Sequence, residues 1–579
     1  MCGIYGLLDF KGAPVDARLK LMSEVTLHRG PDEQNWKSHS VNRKTFGFGI
    51  NRLSIIDLGG GQQPISNETG TVEVVFNGEV YNHRELRTEL ISQGHTFKTS
   101  SDTEVLVHLY EQHGVGFLKL LRGMFAFCIY DLKKKRLFIA RDRLGIKPLY
   151  YHTRRDRFAF GSEIKAITSI YSGWEVDPKA VASYFTFRYI PGPNTIYKDI
   201  QALPPAHYLE YDLRRNKIEI VRWWELPANT TTDSYPVAKE RLRHLLTQAV
   251  SRRLQSEVPL GAFLSGGVDS SLLCAIVAKD LKSEINVYNI GYTEANEYGY
   301  AGQVSRDLGF NLYQCGMSFK NMSDSLPKVL RHMDQPLSDA AIFPTQYLSR
   351  VVKRGCTVML SGEGADELFA GYWQYDGLLQ ARSDTGQEAY LDHLRRSSYF
   401  LNSSIIKGNS VQRVKSLWGK DKTLLSRITR FDLNTWLPDD LLMKVDKMTM
   451  AASVEARVPF LDTDLVEYGY SLPDSYKYHQ GTTKRILKDV AESFGVSQEI
   501  TRRPKMGFTV PLDTLLRGVF RQPFERALRS PKFKGLDRIL NFPEIEKMVN
   551  LYYEGRTDLT LQVWTLFIFA AWWEAQDLW

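Results

Sequence analysis

Residues 260–271 read Leu260-Gly261-Ala262-Phe263-Leu264-Ser265-Gly266-Gly267-Val268-Asp269-Ser270-Ser271, an apolar run that ends in a glycine turn. A short apolar run bounded by a turn predicts a buried strand, and residues 272–278 after the turn predict a helix. Residues 285–290 and 357–360 are also strand-like, and the second of these runs into Ser361-Gly362. Strands that alternate with helices predict a parallel sheet covered by helices on both faces. Ligands of such sheets bind beyond the carboxyl ends of the strands, where both Ser-Gly sequences fall.

The turn at residues 265–267 is a candidate phosphate site, because backbone amides and a helix dipole at such a turn favour an anion. It lacks the lysine of a Walker A loop, which favours a pyrophosphate-cradling loop that cleaves ATP between its α and β phosphates. By itself, a Ser-Gly-Gly sequence is about as often a simple tight turn. The second sequence, residues 360–369, adds three carboxylates. Asp269 and Asp366 are hard oxygen ligands suited to the Mg²⁺ that accompanies ATP.

The first 160 residues have a different pattern, in which short strands dominate. Residues 72–76, 125–130, 137–140 and 158–160 predict strands, and residues 103–111 predict a helix. This pattern indicates sheets covered by helices. Apolar residues from about residue 234 to 254 then recur at helical spacing, which places a boundary between two regions near residues 205–235.

Cys2 is a candidate nucleophile because removal of Met1 would leave a thiol and a free α-amine on one residue. The amine can act as the general base for the thiol. The thiolate is the reactive form, so this nucleophile needs no histidine partner. A bare Met-Cys sequence is more often incidental, and the surrounding sequence must decide between the two interpretations.

Five segments follow one another in the first region: Cys2-Gly3-Ile4-Tyr5-Gly6, His28-Arg29-Gly30-Pro31-Asp32, Arg52-Leu53-Ser54-Ile55, Asn77-Gly78-Glu79-Val80-Tyr81-Asn82 and Ser101-Asp102-Thr103-Glu104. In this order they resemble the glutaminase domain of class II glutamine amidotransferases, which are N-terminal nucleophile hydrolases. The resemblance implies an oxyanion hole formed by Asn77 and the amide of Gly78, an α-carboxylate site at Arg52, and an α-ammonium site at Glu79 and Asp102. One cation and two anions match the charges of free glutamine. For Arg52 or Asp102 taken singly, a structural salt bridge is the alternative.

The second region resembles the ATP-pyrophosphatase domain of asparagine synthetases, and residues 445–448, 454–462 and 503–508 extend the match. The resemblance implies adenylation of a carboxylate with release of pyrophosphate, followed by attack of ammonia delivered internally from the glutaminase site. It also implies that Glu363 serves the adenylate step, although a helix cap or ion pair is the alternative, and that Lys505 neutralises the departing phosphates. The implied ATP-binding residues are Leu264, Ser265, Gly266, Gly267, Asp269, Ser270, Ile290, Ser361 and Gly362, of which Leu264 and Ile290 would line the adenine pocket.

The expected fold class is therefore α/β plus α+β. Residues 2–210 are predicted to form a four-layer αββα glutaminase domain. Residues 236–579 are predicted to form a parallel-sheet ATP-pyrophosphatase domain with a helical C-terminal part. The expected substrates are glutamine, ATP and a carboxylate acceptor, with aspartate as the leading acceptor and asparagine as its product.

Three alternatives stay open. The acceptor could instead be a sugar acid or a natural-product carboxylate, because Gln335 within residues 334–339 replaces an acidic residue found in other branches. A β-lactam-forming relative would have an inactive glutaminase, but Cys2 and its predicted partners are all present. A non-catalytic scaffold would be expected to have lost a nucleophile or a phosphate-loop residue, and none is missing.

Composition limits the remaining classes of function. The net charge of +8 is spread over 74 basic and 66 acidic residues without an aromatic-basic module, which argues against nucleic-acid binding. The five scattered cysteines indicate neither a disulfide framework nor a zinc site and favour a reducing, cytoplasmic location. The most apolar stretch, residues 563–573, is too short to cross a bilayer and predicts a buried helix. The resemblance is compatible with a homodimer.

Overall fold

The computed structural model describes residues 2–154, 156–292, 298–380, 418, 421, 423–503 and 510–576. Their strands fall into three sheets, two antiparallel and one parallel. The strands are β1 (Gly3–Asp9), β2 (Glu33–Val41), β3 (Lys44–Arg52), β4 (Ile65–Ser66), β5 (Val72–Val80), β6 (Gly123–Asp131), β7 (Arg136–Arg141), β8 (Tyr150–Arg154), β9 (Arg157–Gly161), β10 (Ile200–Ala202), β11 (His207–Asp212), β12 (Lys217–Arg222), β13 (Leu260–Phe263), β14 (Asn286–Tyr292), β15 (Leu312–Met317), β16 (Val358–Leu360) and β17 (Glu455–Arg457).

The helices cover these sheets and build the C-terminal part. They are α1 (Asp16–Thr26), α2 (His83–Ser92), α3 (Val105–His113), α4 (Ile164–Thr168), α5 (Pro178–Phe187), α6 (Tyr235–Arg253), α7 (Val268–Ala275), α8 (Tyr298–Leu308), α9 (Phe319–His332), α10 (Ile342–Val352), α11 (Ala365–Phe369), α12 (Trp373–Gln380), α13 (Leu424–Asn434), α14 (Leu442–Met450), α15 (Thr463–Ser471), α16 (Asp474–Lys477), α17 (Arg485–Ser493), α18 (Gln498–Arg502), α19 (Leu512–Arg517), α20 (Arg521–Arg529), α21 (Pro531–Lys534), α22 (Phe542–Tyr553) and α23 (Thr560–Ala575). Short 3₁₀ or π segments are Leu27–Arg29, Gly114–Lys119, Ile276–Asp280, Leu437–Leu441, Pro459–Leu461 and Thr557–Leu559.

The N-terminal region has four layers. One antiparallel sheet has the order β10-β8-β9-β1-β3-β2 and the other the order β12-β11-β7-β6-β5-β4. Their facing side chains form one buried core, including Ile4, Phe48 and Tyr130. Helices α1 and α4 pack on the outer face of the first sheet, and α2 and α3 pack on the outer face of the second. The predicted αββα arrangement is confirmed.

The second region is built on a parallel sheet of order β15-β14-β13-β16-β17. The chain leaves β13 toward β14 and β15 and later returns to β16 on the opposite side. A crevice therefore opens at the carboxyl ends of β13 and β16, as is usual at such a reversal of strand order. The helical C-terminal part ends in α23, whose buried face includes Trp564 and Trp572, so the buried helix predicted over residues 563–573 is confirmed.

The two regions pack against each other without an extended linker. Tyr81 and Met124 of the first region share a buried cluster with Leu264 and Leu461 of the second. Helix α5 packs in another cluster with α23, and the Tyr184 hydroxyl donates a hydrogen bond to the Thr565 carbonyl at 2.9 Å. Strand β12 extends the second antiparallel sheet beyond residue 210. In the described part of the chain, no helix is both long and apolar enough to span a membrane.

Candidate active sites

Cys2 lies at the start of β1, buried between the sheets, with 6% of its surface exposed. Its backbone nitrogen donates a hydrogen bond to Asn77 Oδ1 at 2.9 Å. Its carbonyl accepts a hydrogen bond from Arg29 Nε at 3.1 Å. Burial raises the pKa of the Cys2 thiol, while the amino terminus, the Leu53 backbone and Arg52 each lower it. Hydrogen bonds therefore hold the Cys2 backbone on both sides, and burial outweighs the neighbouring groups that lower the pKa of the thiol, so this pKa is raised overall.

Asn77 on β5 is fully buried, and its side chain has two distinct ends. Oδ1 accepts the hydrogen bond from Cys2, whereas Nδ2 has no hydrogen-bond partner among the described residues. A buried amide donor left unsatisfied is costly unless a ligand completes it. Asn77 Nδ2 is thus a ready donor for an oxygen atom bound beside the Cys2 thiol.

Gly78 follows Asn77 at a point where β5 and β6 approach closely. A Cβ atom at this position would lie 2.0 Å from the Met124 carbonyl oxygen and 2.8 Å from Phe125 Cα. Because both obstacles are backbone atoms, only glycine fits here. Close packing of the two strands is therefore one reason for a glycine at this position. The role of its amide in the oxyanion hole stays a prediction.

Arg52, at the end of β3, is engaged in local bonds. Its guanidinium contacts Glu33 Oε1 at 2.8 Å and donates to the carbonyls of Ile56 and Asp57 at 3.2 and 2.7 Å. The structural salt bridge considered for Arg52 is therefore present. These bonds also fix the guanidinium near Cys2, close enough for its charge to lower the pKa of the thiol.

Glu79 and Asp102 lie together in a buried acidic group. Burial, followed by the charge of Glu455, raises the pKa of Glu79 well above its ordinary value, and Asp102 adds to this shift. Burial also raises the pKa of Asp102, whose Oδ2 accepts a hydrogen bond from the Val80 amide at 2.8 Å. Arg457 Nη2 lies 3.3 Å from Glu79 Oε1. Two acids whose ionised forms are disfavoured by burial provide a favourable place for an added ammonium group.

A second site is the cavity of about 650 Å³ at the carboxyl ends of β13 and β16. Of the predicted ATP-binding residues, all but Gly266 line it. Glu363 and Asp366 line it as well. Gly266 lies in the turn itself, where its φ of +72° and a Cβ only 2.7 Å from the Ala301 nitrogen require glycine. The structure thus brings together residues that are about 100 positions apart in sequence.

The phosphate-loop candidate is held by its own hydroxyl groups. Ser270 Oγ accepts a hydrogen bond from the Ser265 amide at 3.2 Å, and the two hydroxyl oxygens lie 3.1 Å apart. Helix α7 begins at Val268, directly after the turn. The loop is therefore preorganised at the mouth of the cavity, with a helix amino terminus facing it.

Asp269 and Asp366 converge on one lysine that the sequence interpretation had not singled out. Lys484 Nζ lies 2.7 Å from Asp269 Oδ2 and 2.8 Å from Asp366 Oδ1. Although burial opposes it, the charges of these two carboxylates raise the pKa of Lys484. The two aspartates thus form a pair of hard oxygen donors able to hold a cation, which agrees with the ligands that Mg²⁺ prefers. Lys505 and the rest of residues 504–509 lie outside the described residues.

Glu363 lies at the other wall of the cavity, near a buried lysine on α14. Lys444 Nζ lies 3.0 Å from Asp339 Oδ2 and 3.9 Å from Glu363 Oε1. Although burial opposes it, the charge of Asp339 raises the pKa of Lys444. Within residues 334–339, Asp339 is thus the residue connected to the cavity wall. Gln335, by contrast, accepts a hydrogen bond from the Ile196 amide at 3.2 Å.

Helix α14 also connects the two sites. Asp446, two residues after Lys444, accepts hydrogen bonds from Arg29 at 2.7 and 3.2 Å, and Arg29 in turn holds the Cys2 carbonyl. Lys447, one residue further, pairs with Asp334 and lies 3.6 Å from Glu163. These groups are buried in the contact between the two regions. One helix therefore contacts both the cavity at the carboxyl ends of β13 and β16 and the residues around Cys2.

Comparison with known proteins agrees with this pairing of sites. A family model for the asparagine synthase family matches residues 241–574, and a model for the glutamine amidotransferase domain matches residues 1–224. The chain belongs to the asparagine synthase family. Glutamine-hydrolysing asparagine synthetase 1 of Bacillus subtilis is 32% identical over 99% of this chain and 96% of its own length. Asparagine synthetase 3 of the same organism is 34% identical, over 85% and 84%. A putative asparagine synthetase of Mycobacterium tuberculosis H37Rv is 30% identical, over 99% and 97%.

Membership of the asparagine synthase family confirms the class of chemistry. The chain is an ATP-dependent, glutamine-dependent amidotransferase ligase. The resemblances drawn from both regions of the sequence are confirmed.

Four residues that contact the sites were not singled out from sequence: Lys444, Glu455, Arg457 and Lys484. Residues 445–448 and 454–462 were recognised as family segments, but no role was assigned to Glu455 or Arg457. Each of these side chains meets a partner far away in sequence; Lys484 and Asp269, for example, are 215 positions apart. One local feature of the sequence could have indicated them: charged residues inside a segment that becomes a buried strand, such as Glu455-Ala456-Arg457 in β17.

Proposed function

We propose that the chain is a glutamine-hydrolysing asparagine synthetase: it adenylates the side-chain carboxylate of aspartate with ATP and transfers to it ammonia released from glutamine at Cys2. The main observation behind this proposal is that helix α14 contacts both candidate sites. Its Lys444 faces the nucleotide cavity, while its Asp446 holds Arg29 against the Cys2 carbonyl. Two sites that one buried helix connects are suited to the transfer of a reactive intermediate from one to the other.

In the proposed glutaminase reaction, the Cys2 thiolate attacks the side-chain amide carbon of glutamine. The α-amine of Cys2 accepts the thiol proton and returns it to the departing ammonia. Asn77 Nδ2, with the Gly78 amide, stabilises the oxyanion. Water then cleaves the thioester and releases glutamate. Asn77 Nδ2 supports this assignment, because it has no hydrogen-bond partner among the described residues.

Substrate binding at this site is assigned to three charged side chains. Arg52 would bind the α-carboxylate of glutamine, and Glu79 with Asp102 would bind its α-ammonium. Burial raises the pKa of both acids, so a bound ammonium would stabilise their ionised forms. Arg52 would have to exchange part of its contact with Glu33 for the substrate carboxylate, since one Nη group now contacts Glu33 at 2.8 Å.

In the proposed synthetase reaction, an acceptor carboxylate oxygen attacks the α-phosphorus of ATP and pyrophosphate leaves. Ammonia then attacks the carbonyl carbon of the acyl adenylate, and AMP leaves. The loop of residues 265–270, with Ser361 and Gly362, would hold the phosphates, and Leu264 and Ile290 would contact the adenine. Lys484 is well placed to neutralise the departing pyrophosphate, because it lines the cavity and stays charged between two aspartates. We retain Lys505 for the same task.

Mg²⁺ is proposed as the metal, held by Asp269 and Asp366. Both carboxylates already approach one cation, the Lys484 ammonium, within 2.8 Å, so the donor set fits a hard divalent ion. When bound, Mg²⁺ would offset the negative charge of the phosphates. The residues of the chain would orient the nucleotide and exclude water around it.

Aspartate is the proposed acceptor because the cavity wall beside Glu363 carries both signs of charge. Lys444 lines the cavity and would offer a cation for the α-carboxylate of aspartate. Asp339, which is 3.0 Å from the Lys444 ammonium, would offer an anion for the α-ammonium. Glu363 is proposed to serve the adenylate step, and its ion-pair alternative has some support from the 3.9 Å separation from Lys444. The second candidate is a carboxylate without an α-amino group, such as a sugar acid. Such an acceptor would have no ammonium group for Asp339 to bind.

We propose domains at residues 2–210 and 236–579, a homodimeric assembly, and a cytoplasmic location. The free state of all five cysteines supports a reducing compartment.

Acceptor identity is testable by measuring pyrophosphate release with ATP, Mg²⁺ and glutamine, in the presence of aspartate, succinate, a sugar acid or no acceptor. Succinate is the matched control, because it is aspartate without the α-amine. The proposal predicts that, of these acceptors, only aspartate gives pyrophosphate release, together with equal amounts of AMP and asparagine identified by mass. If only the sugar acid gave pyrophosphate release while glutamine was still hydrolysed, aspartate would be excluded as the acceptor and the second candidate would be favoured. An Asp339→Asn variant should raise the KM for aspartate and leave the KM for ATP unchanged.

A further inference from the structure

A second group of ligand-type side chains lies on the outer face of the glutaminase domain, away from both sites described above. It consists of Glu68, His95, His108 and Glu111, here called the His-Glu cluster. One ligand atom from each of these residues lies within 4.8 Å of each of the others. Glu68 follows β4, His95 follows α2, and the other two residues lie on α3. The cluster therefore joins three segments of chain.

The geometry centres on the Glu68 carboxylate. Oε1 lies 3.0 Å from His95 Nδ1, and Oε2 lies 3.1 Å from His108 Nδ1. His108 and Glu111 are three positions apart on α3, so they project from the same side of the helix. The two imidazole centroids are 5.0 Å apart. Nitrogen and oxygen donors from all four residues thus face one small volume.

His108 provides the second, independent observation. Its side chain is completely buried, and neither ring nitrogen makes a hydrogen bond of good geometry within the described residues. A buried imidazole with two unsatisfied nitrogens costs free energy unless a proton donor, an acceptor or a metal ion completes it. Its Nδ1 points toward Glu68 and its Nε2 toward Glu104, whose Oε1 lies 3.6 Å away.

The surroundings match the outer contacts of a metal site. Histidine ligands usually direct their other nitrogen toward a carboxylate or carbonyl, which fixes the orientation of the ring. Glu104 takes this place for His108, and Gln112 Oε1 lies 3.4 Å from His95 Nε2. Asn67 Nδ2 donates a hydrogen bond to Glu111 Oε2 at 2.9 Å. Each of these three ligand residues therefore has a polar neighbour behind it.

We propose that the His-Glu cluster binds one divalent transition-metal ion of the Zn²⁺ type. Two imidazoles and two carboxylates form a set of four donors that suits tetrahedral Zn²⁺, whereas Mg²⁺ and Ca²⁺ prefer oxygen donors alone. The two negative charges of the carboxylates balance a divalent ion. The bound ion would fasten the segment before β5 and the segment after α2 to helix α3.

This metal would also stabilise the glutamine site indirectly. Glu104 accepts hydrogen bonds from the amides of Lys98 and Thr99 at 2.8 and 2.7 Å, and Asp102 lies two residues before it in the chain. The ion would thus brace the segment that carries Asp102. The site takes no part in the proposed reaction, and its existence is independent of the proposed acceptor.

The test is direct titration of chelator-treated, tag-free full-length protein with Zn²⁺ by calorimetry, with metal content measured after dialysis. The wild type is expected to bind one Zn²⁺ at the cluster, and Glu111→Gln and His108→Asn should lose this binding. His113→Asn is the matched control, since it removes an exposed histidine from the same helix outside the cluster. Glu104→Gln should weaken binding by about 10- to 100-fold, as loss of an outer contact usually does.

Glu111 is exposed, so Glu111→Gln should fold normally even if His108→Asn does not. Zn²⁺ should raise the melting temperature of the wild type and of His113→Asn, but not of Glu111→Gln. Co²⁺ serves as a spectroscopic probe, and its absorption should show nitrogen and oxygen ligands without a thiolate charge-transfer band. Equal Zn²⁺ binding by wild type and Glu111→Gln, no binding by the wild type, or a thiolate band would each overturn the proposal.

Discussion

Replacing Asn77 by aspartate separates the two roles that we assign to this side chain. Asparagine accepts the Cys2 N–H through Oδ1 at 2.9 Å, and in the described part of the chain its Nδ2 has no partner and is available as a donor. Aspartate retains the acceptor but has no donor for the oxyanion. The variant should therefore keep Cys2 in position and lose stabilisation of the tetrahedral intermediate.

The expected loss follows from removing one preorganised donor in a buried site, which costs about 100- to 1,000-fold in kcat, or about 2.7–4 kcal/mol. The assay is glutamate release at saturating glutamine. Asn77→Ala removes both roles and leaves the Cys2 N–H without its acceptor, so it should lose at least as much kcat. It should also lose stability by about 1–3 kcal/mol, the usual cost of an unsatisfied buried group.

Amide synthesis with ammonia is the internal control, because it bypasses the glutaminase site and should stay near the wild-type rate in both variants. Unchanged ammonia use shows that the synthetase region is still folded. A glutaminase kcat for Asn77→Asp close to that of the wild type would refute the assignment of Nδ2 as an oxyanion donor.

Four other variants test separate parts of the account. Cys2→Ala should abolish the use of glutamine and spare the use of ammonia in amide synthesis assays, and intact glutamine-dependent turnover would exclude Cys2 as the nucleophile. Asp269→Ala should stop pyrophosphate release with either nitrogen source, so undiminished release would remove the phosphate-loop assignment. Lys484→Met should lower the rate of pyrophosphate release by roughly 100-fold or more, as loss of a charge-stabilising group does, while glutamate release without ATP stays normal; equal loss of both activities would indicate a structural role. Burial, with Asp339 adding to it, raises the pKa of Asp440 from 3.8 to about 7, so the folded protein binds a proton that the unfolded chain releases across this window. Stability should therefore fall as pH rises from about 4 to about 7, and the melting temperature of the wild type relative to Asp440→Asn should fall over the same range; a difference independent of pH would contradict the shift.

Local sequence patterns were sufficient for much of the fold. Alternation and apolar runs located β5, β6, β7 and β9, and helical spacing located α6. The glycine turn after β13 placed the cavity correctly, since strand order reverses there. These features depend on neighbouring residues, and short-range periodicity reports them directly.

The unpredicted parts depend on contacts between distant segments. The contact of Lys484 with Asp269 and Asp366 depends on how the parallel sheet arranges distant segments, and the contact of Arg457 with Glu79 depends on the packing of the two regions. Periodicity carries no information about such pairs. The ion pair of Arg52 with Glu33 was anticipated only as an alternative, because an arginine in a family segment can serve both a substrate and a neighbour.

Transfer of nitrogen between the two sites is the central claim, and one isotope measurement tests it most directly. The purified protein is supplied with ATP, Mg²⁺, aspartate and glutamine labelled at its side-chain amide nitrogen, in a buffer that contains excess unlabelled ammonium. The mass of the amide product is then measured. The account predicts asparagine that carries the label, because ammonia passes from Cys2 to the adenylate inside the protein. Unlabelled asparagine, formed while glutamine is hydrolysed, would contradict internal transfer.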